Sequence, residues 1–365
     1  MIASAESIRR DDAPVGDAAM TGGEPAVSEL TPEVAARWDE FVEACPEATF
    51  FHRAGWKRVL EHGLGHDAPF LYAERDGAIE GVLPLGHINS LLFGRSLVST
   101  PFCVYGGVAA VTESARTALE DAAIARAEAL GVDHLELRLR ECRHEDWPAR
   151  RDRYVTFRQP LDPDPDANYQ RIRRKQRAMI RKGIDKGLEA HVDDDLDRFY
   201  DVFAESVRNL GTPVFPKRYF RTLKDVFGDA CEIVCVRHEG RVIAGVLSFY
   251  FRDEILPYHG GGSAAARGLY ANDFMYWSLM RRAAESGVRI FDYGRSKIGT
   301  GSYDFKRHWD FTPEPLHHEY HLVRAKEIPD LSPMNPKYRF FINNWRRLPV
   351  PVTRAIGPML ARNLG

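Results

Sequence analysis

Several features that would declare a function are missing from this chain. Cysteine is scarce: Cys45, Cys103, Cys142, Cys231 and Cys235 are the five among 365 residues. An odd, scattered set argues against a disulfide framework and for reduced thiols in a cytoplasmic location. Cys231 and Cys235, four apart in CEIVCV, share one side of an apolar strand and read as core thiols; the other ligands of a metal site are lacking, so no metal is expected. No run of about 18 apolar residues occurs, so no membrane-spanning helix is expected. Neither sign of charge dominates, with Lys+Arg 50 against Asp+Glu 52 and a net charge of −2. The whole molecule therefore has no bulk attraction for DNA or anionic lipid, and any polyanion contact must be local. There is no G-x-S-x-G elbow, no cysteine in a Gly-rich turn and no Gly-rich nucleotide loop. These absences speak against a covalent acyl-enzyme, a metalloenzyme and a dehydrogenase. Arg9 and Arg10 are followed by acids, Pro and Gly rather than an apolar stretch, so residues 1–27 read as a disordered tail and not as a secretory signal.

What is present is an ordinary globular composition, 44% hydrophobic and 28% charged, with enough chain for about two domains. PFLYAERDG and AIEGVLPLGHI form a hairpin across Asp76-Gly77. Thr112–Leu130 is an Ala- and Glu-rich helix stopped by Gly131. Cys231–Arg237 and Arg241–Phe251 form a second hairpin across Glu239-Gly240. The order strand, strand, helix, strand then recurs. Gly81-Val82-Leu83 answers Gly245-Val246-Leu247, Tyr105-Gly106-Gly107 answers His259-Gly260-Gly261, and Leu135-Glu136-Leu137-Arg138 answers Ile290-Phe291-Asp292-Tyr293. This is the pattern of a tandem duplication of one unit. It divides the chain into a tail at 1–27, a first module at 28–160, a second module at 161–325 that opens with a basic helix, and a helical C-terminal tail at 326–365 broken by Pro349, Pro351 and Pro358.

The second unit carries more polar equipment, between Arg241 and Phe311. Tyr258 and His259 precede three glycines, which allow a ligand close to the backbone. Asn272 and Asp273 precede the helix Phe274–Ala284, where they cap it or border an anion site at its N-terminus. Asp292 ends a strand; it can orient an amine, accept its proton, or cap the Gly294 turn. Arg295 and Ser296 in that turn suit a phosphate or carboxylate. Lys306, in the loop segment YDFKRHW, is flanked by Phe305 and Trp309, with Tyr303 and Arg307 as further candidates. His317, His318 and His321 read as a polar strand.

Three stretches carry a resemblance: RRKQRAMIRKGIDKG ahead of the second unit, YANDFMYWSLMRRAAESGVRIFDYGRS within it, and YDFKRHWDF at its end. Together with the duplication they resemble the FemAB family, in particular FemAB-like proteins associated with PEP-CTERM/exosortase and exopolysaccharide loci. The resemblance spans roughly residues 30–325. It implies an α/β (α+β) fold of two tandem GNAT-like acyltransferase modules, with mixed sheets flanked by helices. It also implies a cytoplasmic N-acyl- or aminoacyl-transferase with no permanently bound cofactor. Aminoacyl-tRNA or acyl-CoA would be co-substrate, and the acceptor an amine of a cell-envelope or exopolysaccharide precursor. Lys306 matches the family's lysine near the end of the second module, where it would bind donor phosphate or stabilise an oxyanion; Asp292 and Tyr303 join it as catalytic candidates. Two departures leave the donor open: Glu189–Phe227 holds short helices in place of a long helical arm, and Ala265–Tyr270 lacks the R-x-x-G-x-G/A pyrophosphate loop. A CoA-dependent N-acetyltransferase of the same fold and a non-catalytic binding protein of a polysaccharide assembly system are the alternatives.

The helix from Arg171 to Lys186 holds Arg171, Arg173, Arg174, Lys175, Arg177, Arg181, Lys182 and Lys186 against Asp185 alone. Arg173, Arg174, Arg177 and Arg181 on it suit a polyanion: tRNA, a nucleotide-sugar pyrophosphate or a lipid pyrophosphate, the last with peripheral contact at a membrane surface. If tRNA is the ligand, replacing Arg173, Arg174 and Arg177 with Ala flattens the log–log salt dependence of binding, by about one unit of slope for each phosphate that is no longer neutralised. An unchanged slope rejects that role.

Overall fold

The computed structural model of the chain describes residues 23–90, 93–328 and 336–363. The first half runs β1 (Ala26–Glu29), α1 (Ala35–Ala44), α2 (Gly55–Arg58, continuing as a π-helical turn over Val59–Leu64), β2 (Leu71–Arg75), β3 (Ala78–Leu83), β4 (Leu85–Ser90), β5 (Gly94–Ser99), β6 (Ala109–Ala110), α3 (Glu113–Leu130), β7 (His134–Leu139) and β8 (Ala149–Pro160). The second half runs α4 (Pro165–Arg171), α5 (Arg174–Asp185), β9 (Glu189–Val192), α6 (Leu196–Leu210), α7 (Lys217–Phe227), β10 (Cys231–His238), β11 (Arg241–Phe251), β12 (Glu254–Gly262), α8 (Ala264–Gly268), α9 (Ala271–Glu285), β13 (Ile290–Asp292), β14 (Ser296–Lys297), α10 (Gly301–His308) and β15 (Pro313–Leu322). Two further helices follow, α11 (Pro336–Trp345) and α12 (Val350–Ala361). Among the described residues no helix is long and apolar enough to cross a membrane.

Local chemistry accounts for the boundaries that were legible. Asp76 and Gly77 have φ of 49° and 80°, and Glu239 and Gly240 have 48° and 75°. Positive φ at both central residues is the tight hairpin turn that matches strand twist. Thr112 accepts from the Ala115 amide to start α3, and Gly131, at φ 56°, ends it.

The strands form a four-stranded sheet, β1-β2-β3-β6, and one large mixed sheet, β4-β5-β7-β15-β8-β13-β12-β11-β10-β9, with β14 also on β8. The large sheet fuses the two halves. β15, the last strand of the second half, lies between β7 and β8 of the first, and β8 pairs with β15 along its length and with β13 at its end, through Arg158–Pro160. The duplication is visible as a shared divergence. β5 runs parallel to β7 over Ser96–Val98; the chain then leaves the large sheet, and β6 joins β3. β12 runs parallel to β13 only at Glu254 and Ile255 and then parts from it.

One core crosses the boundary between the halves. Phe50, Phe51 and Trp56 of the first half pack with Phe227, Phe249 and Phe251 of the second, and the Phe50 and Phe249 rings stack at 4.4 Å.

Four expectations are corrected. Ala26 and Val27 fall within the expected disordered tail but pair in β1 with Glu74 and Ala73; residues 1–22 lie outside the described residues. The basic helix is two helices, because Ile172 and Arg173 are extended between α4 and α5. YDFKRHW is not loop but α10. Pro351 sits in the first turn of α12, where its missing N–H has no helical partner to lose, and Pro358 is carried inside the helix rather than ending it.

Because the Phe50 ring packs against both halves, Phe50→Ala is expected to cost about 3–5 kcal/mol. It should lower a single cooperative calorimetric transition; two separate transitions, one of them unmoved, would show that the halves do not share this core.

Candidate active site

The site is built where β12 and β13 part. A register shift between Leu247 and Ser248 pairs them with His259 and Pro257, which leaves Tyr258 as the extra residue of a β-bulge. Tyr258 Oη donates to the Phe102 carbonyl across the gap. Phe102 and Tyr105 come from the equivalent divergence in the first half, so both halves wall one cleft.

Asp292 stands at its base, with 0% of its surface exposed. Its Oδ2 accepts from Tyr105 Oη at 2.7 Å, and its Oδ1 accepts from Thr156 Oγ1 at 2.9 Å and the Gly294 amide at 2.7 Å. The donors come from the first half, from the shared strand β8 and from the turn after β13. Burial and then the adjoining carboxylate push the Tyr105 phenol well above its ordinary pKa, so it stays a donor. Without exposed surface, Asp292 reaches a substrate only through these partners.

Lys306 projects from α10 into the same place. Its Nζ donates to the Gly294 carbonyl at 2.8 Å and the Arg295 carbonyl at 3.2 Å and lies near the rings of Phe157 and Tyr293. Desolvation brings the ammonium down to about 7, with Asp292 opposing and Arg295 assisting. The Arg295 guanidinium lies 4.9 Å over the Tyr154 ring. Burial and the neighbouring Arg138 lower its pKa, and among the described residues its side chain makes no hydrogen bond or ion pair. The buried Ser296 Oγ has no partner either.

Three residues that were not among the site candidates, Glu136, Arg138 and His318, complete this wall. Glu136 Oε1 accepts from Arg138 Nε and from His318 Nδ1, both at 2.8 Å. His318 lies directly opposite Arg138 in the β7–β15 register and stacks on Tyr154 at 4.9 Å. Burial raises the Glu136 carboxyl, but Arg138 and His318 outweigh it and hold the group well below the carboxylate range; burial lowers His318 to about 4. Arg138 Nη1 and His318 Nε2 are buried without partners. The signal was available in part: alternation in Leu135-Glu136-Leu137-Arg138 puts the two charges on one face of a strand. The insertion of β15, which supplies His318, was not.

The remaining candidates are dispersed. Tyr303 packs on Phe157 at 5.6 Å, and Arg307 lies exposed over Tyr303. His259 is enclosed by Phe203, Phe215 and Phe220, with its Nε2 3.2 Å from Tyr219 Oη; burial drops its pKa to about 3, so it is neutral. Asn272 and Asp273 do not precede their helix but lie in its first turn, after Tyr270 at φ 58°, and neither is the cap. Asn272 is exposed beside Gly262. Asp273 accepts from Gln176 of α5, and burial raises it to about 6. On the surface, Arg173 pairs with Asp310 at 3.0 Å, Arg177 is held by Gln170, and Arg174 and Arg181 are exposed. Lys306, Asp292, Arg295, Ser296 and Tyr258 thus share the cleft, and the basic residues of α5 do not reach it.

Residues 168–307 match a family model described as an acetyltransferase (GNAT) domain. A sequence search of curated proteins found no match. Among solved structures the chain is similar to FemX, with a TM-score of 0.64 and 15% identity over 87% of this chain and 100% of that one. It is also similar to the C-terminal domain of a putative lysylphosphatidylglycerol synthetase from Agrobacterium fabrum, with a TM-score of 0.55 and 16% identity over 79% and 91% of the two chains. A third likeness is to L-PGS from Bacillus licheniformis, at 0.50 and 17% over 90% and 98%. At these identities the structural likeness concerns the fold. The fold and the matched domain together define the class: the chain is an acyltransferase with a tandem GNAT-like architecture.

Tyr105→Phe removes one donor from a buried carboxylate and is expected to cost about 1–3 kcal/mol, read as a lower denaturation midpoint at unchanged m-value. A variant as stable as the parent would show that the Tyr105–Asp292 bond does not tie the halves together.

Proposed function

We propose that this acyltransferase moves an acyl or aminoacyl group onto an amine carried by an anionic cell-envelope or exopolysaccharide precursor. The observation that carries the reading is the pairing, in one cleft, of an Arg295 guanidinium without a hydrogen bond and a desolvated Lys306 ammonium. Cations kept apart from counterions in a low-dielectric site favour a ligand that brings negative charge, permanently or in its transition state. The resemblance to FemAB-like proteins supports the acceptor class.

The deprotonated acceptor amine attacks the ester or thioester carbonyl of the donor. The C–N bond forms, the C–O or C–S bond breaks, and the departing oxygen or sulfur takes the proton shed by the amine. Lys306, in its ammonium form, has two donors on the Gly294 and Arg295 carbonyls and a third for the developing oxyanion. Arg295, stacked on Tyr154, receives a phosphate or carboxylate of a substrate, and Ser296 adds a hydroxyl. Asp292 is a positioning residue: it fixes the Gly294 turn whose carbonyl holds Lys306. α5 packs on α9 through its buried side, with Gly183 against Phe274, and its exposed basic residues offer a polyanionic donor its first contact. A CoA thioester remains the second donor reading, supported by the acetyltransferase description of the matched domain.

Turnover measured with acetyl-CoA and with aminoacyl-tRNA, against amino-sugar and peptide-amine acceptors, separates the donors. Lys306→Met is expected to lower kcat/KM about 10²–10³-fold, and a loss of less than threefold rejects the assignment. The pH profile gives the sign. The ammonium is present below about 7 and lost above it, so the parent's rate constant should acquire a falling limb near 7. Lys306→Arg, charged throughout, should lack that limb; a rising limb near 7 that disappears in Lys306→Met would make Lys306 a base instead.

A further inference from the structure

We infer that α11 and α12 form a docking face for a membrane surface bearing anionic headgroups. α12 has two apolar sides. Thr353, Gly357 and Ala361, spaced i, i+4, i+8, are buried, and Gly357 packs so closely on Val214 that a Cβ would lie 3.1 Å from its backbone nitrogen. Val352, Ile356 and Met359, spaced i, i+4, i+7, form a second stripe that faces outward, with Met359 70% exposed. On α11, Phe340 is 75% exposed and Phe341 is exposed beside it. Leu210, at the end of α6, is 63% exposed and adjoins α11, because Arg346 Nη2 donates to its carbonyl at 3.1 Å. Six of the ten large apolar side chains exposed among the described residues therefore lie on these two helices and their border. That concentration departs from the scattered exposure normal for a surface.

Charge selects the occupant. From Pro336 to Gly365 the sequence contains no Asp or Glu, but has Lys337, Arg339, Arg346, Arg347, Arg354 and Arg362, in a protein whose net charge is −2. Arg354 pairs with Asp201 of α6. Arg346 and Arg362 donate to the backbone carbonyls of Leu210 and Gly65, which leaves their charge uncompensated. Arg347 is exposed. A second copy docking face to face would bring two such basic sets together. An anionic bilayer instead matches both properties: an apolar stripe sinks about 5–10 Å into the boundary of headgroups and chains while basic side chains meet the phosphates. None of the exposed apolar residues of this face takes part in the proposed transfer, so this inference does not require the acyl-transfer reading; if that reading holds, the face would bring the enzyme to a lipid-borne acceptor.

Co-sedimentation of the full chain with vesicles of equal parts phosphatidylglycerol and phosphatidylcholine, against phosphatidylcholine alone, tests it. The protein should partition onto the anionic vesicles and be released by salt. Ile356→Glu with Met359→Glu should cut partitioning tenfold or more, with the thermal midpoint and the turnover of soluble substrates unchanged because both side chains are exposed. Arg347→Ala should cut it roughly fivefold. Absence of binding to anionic vesicles at low salt overturns the inference, as does binding indifferent to the paired glutamates. A dimer in sedimentation velocity that the same pair dissolves, without vesicle binding, assigns the face to a second copy and overturns it as well.

Discussion

The buried carboxylate of Asp292 is the constraint from which the rest of the cleft follows. An ionised group without solvent is tolerable only when its lone pairs are met, and here they are met by three donors on three separate stretches of chain. Tyr105 arrives from the divergence in the first half, Thr156 from the strand common to both halves, and the Gly294 amide from the turn that Asp292 itself begins. That turn directs the Gly294 and Arg295 carbonyls toward Lys306. The carboxylate thus joins the halves, sets the turn, and through the turn sets the position of the Lys306 amine.

Around this node the charges are unbalanced. Glu136 is consumed by Arg138 and His318, and Asp292 by its three donors, while Arg295 and Lys306 are left with a ring face and two backbone carbonyls. A protein with nearly equal numbers of acids and bases has concentrated uncompensated positive charge where water is scarce. Such an arrangement lowers the stability of the empty protein and raises its affinity for an anion, the trade expected of a binding or catalytic site. The same separation recurs at the C-terminal helices, where bases without acids border an uncovered apolar stripe. The two regions differ in solvation: in the cleft, burial shifts the ammonium of Lys306 toward neutrality, whereas Arg346 and Arg347 lie exposed at the surface.

Much of the fold was legible because it rests on local chemistry. Asp76-Gly77 and Glu239-Gly240 accept positive φ, so both hairpins could be read. Thr112 and Gly131 are a donor-satisfying start and a left-handed stop, so α3 could be read within a residue. The duplicated Gly-Gly segments marked both divergences. Lys306, Arg295 and Asp292 were legible as a group because they follow one strand end within 15 positions of one another. What failed depended on partners far along the chain. α10 looked like loop, since Gly299 precedes it, Gly301 begins it, and its aromatics show no clean face until Phe157 and Tyr293 pack against them. Pro358 looked like a break, but close packing of α12 on Val214 holds the helix through it.

By itself the sequence determined the repeated strand–helix–strand units, the caps and turns that bound them, and the polar excess of the second unit, because propensity, φ preference and hydrophobic period act over a few residues. Only the tertiary structure decided that β15 crosses into the first half, that Tyr105 and Thr156 commit Asp292 to holding rather than free acid–base chemistry, and that His318 meets Glu136 beside Arg295. Those outcomes depend on burial and on strand pairing between segments more than a hundred residues apart, and a side chain's charge, partners and desolvation are properties of its surroundings rather than of its place in the chain.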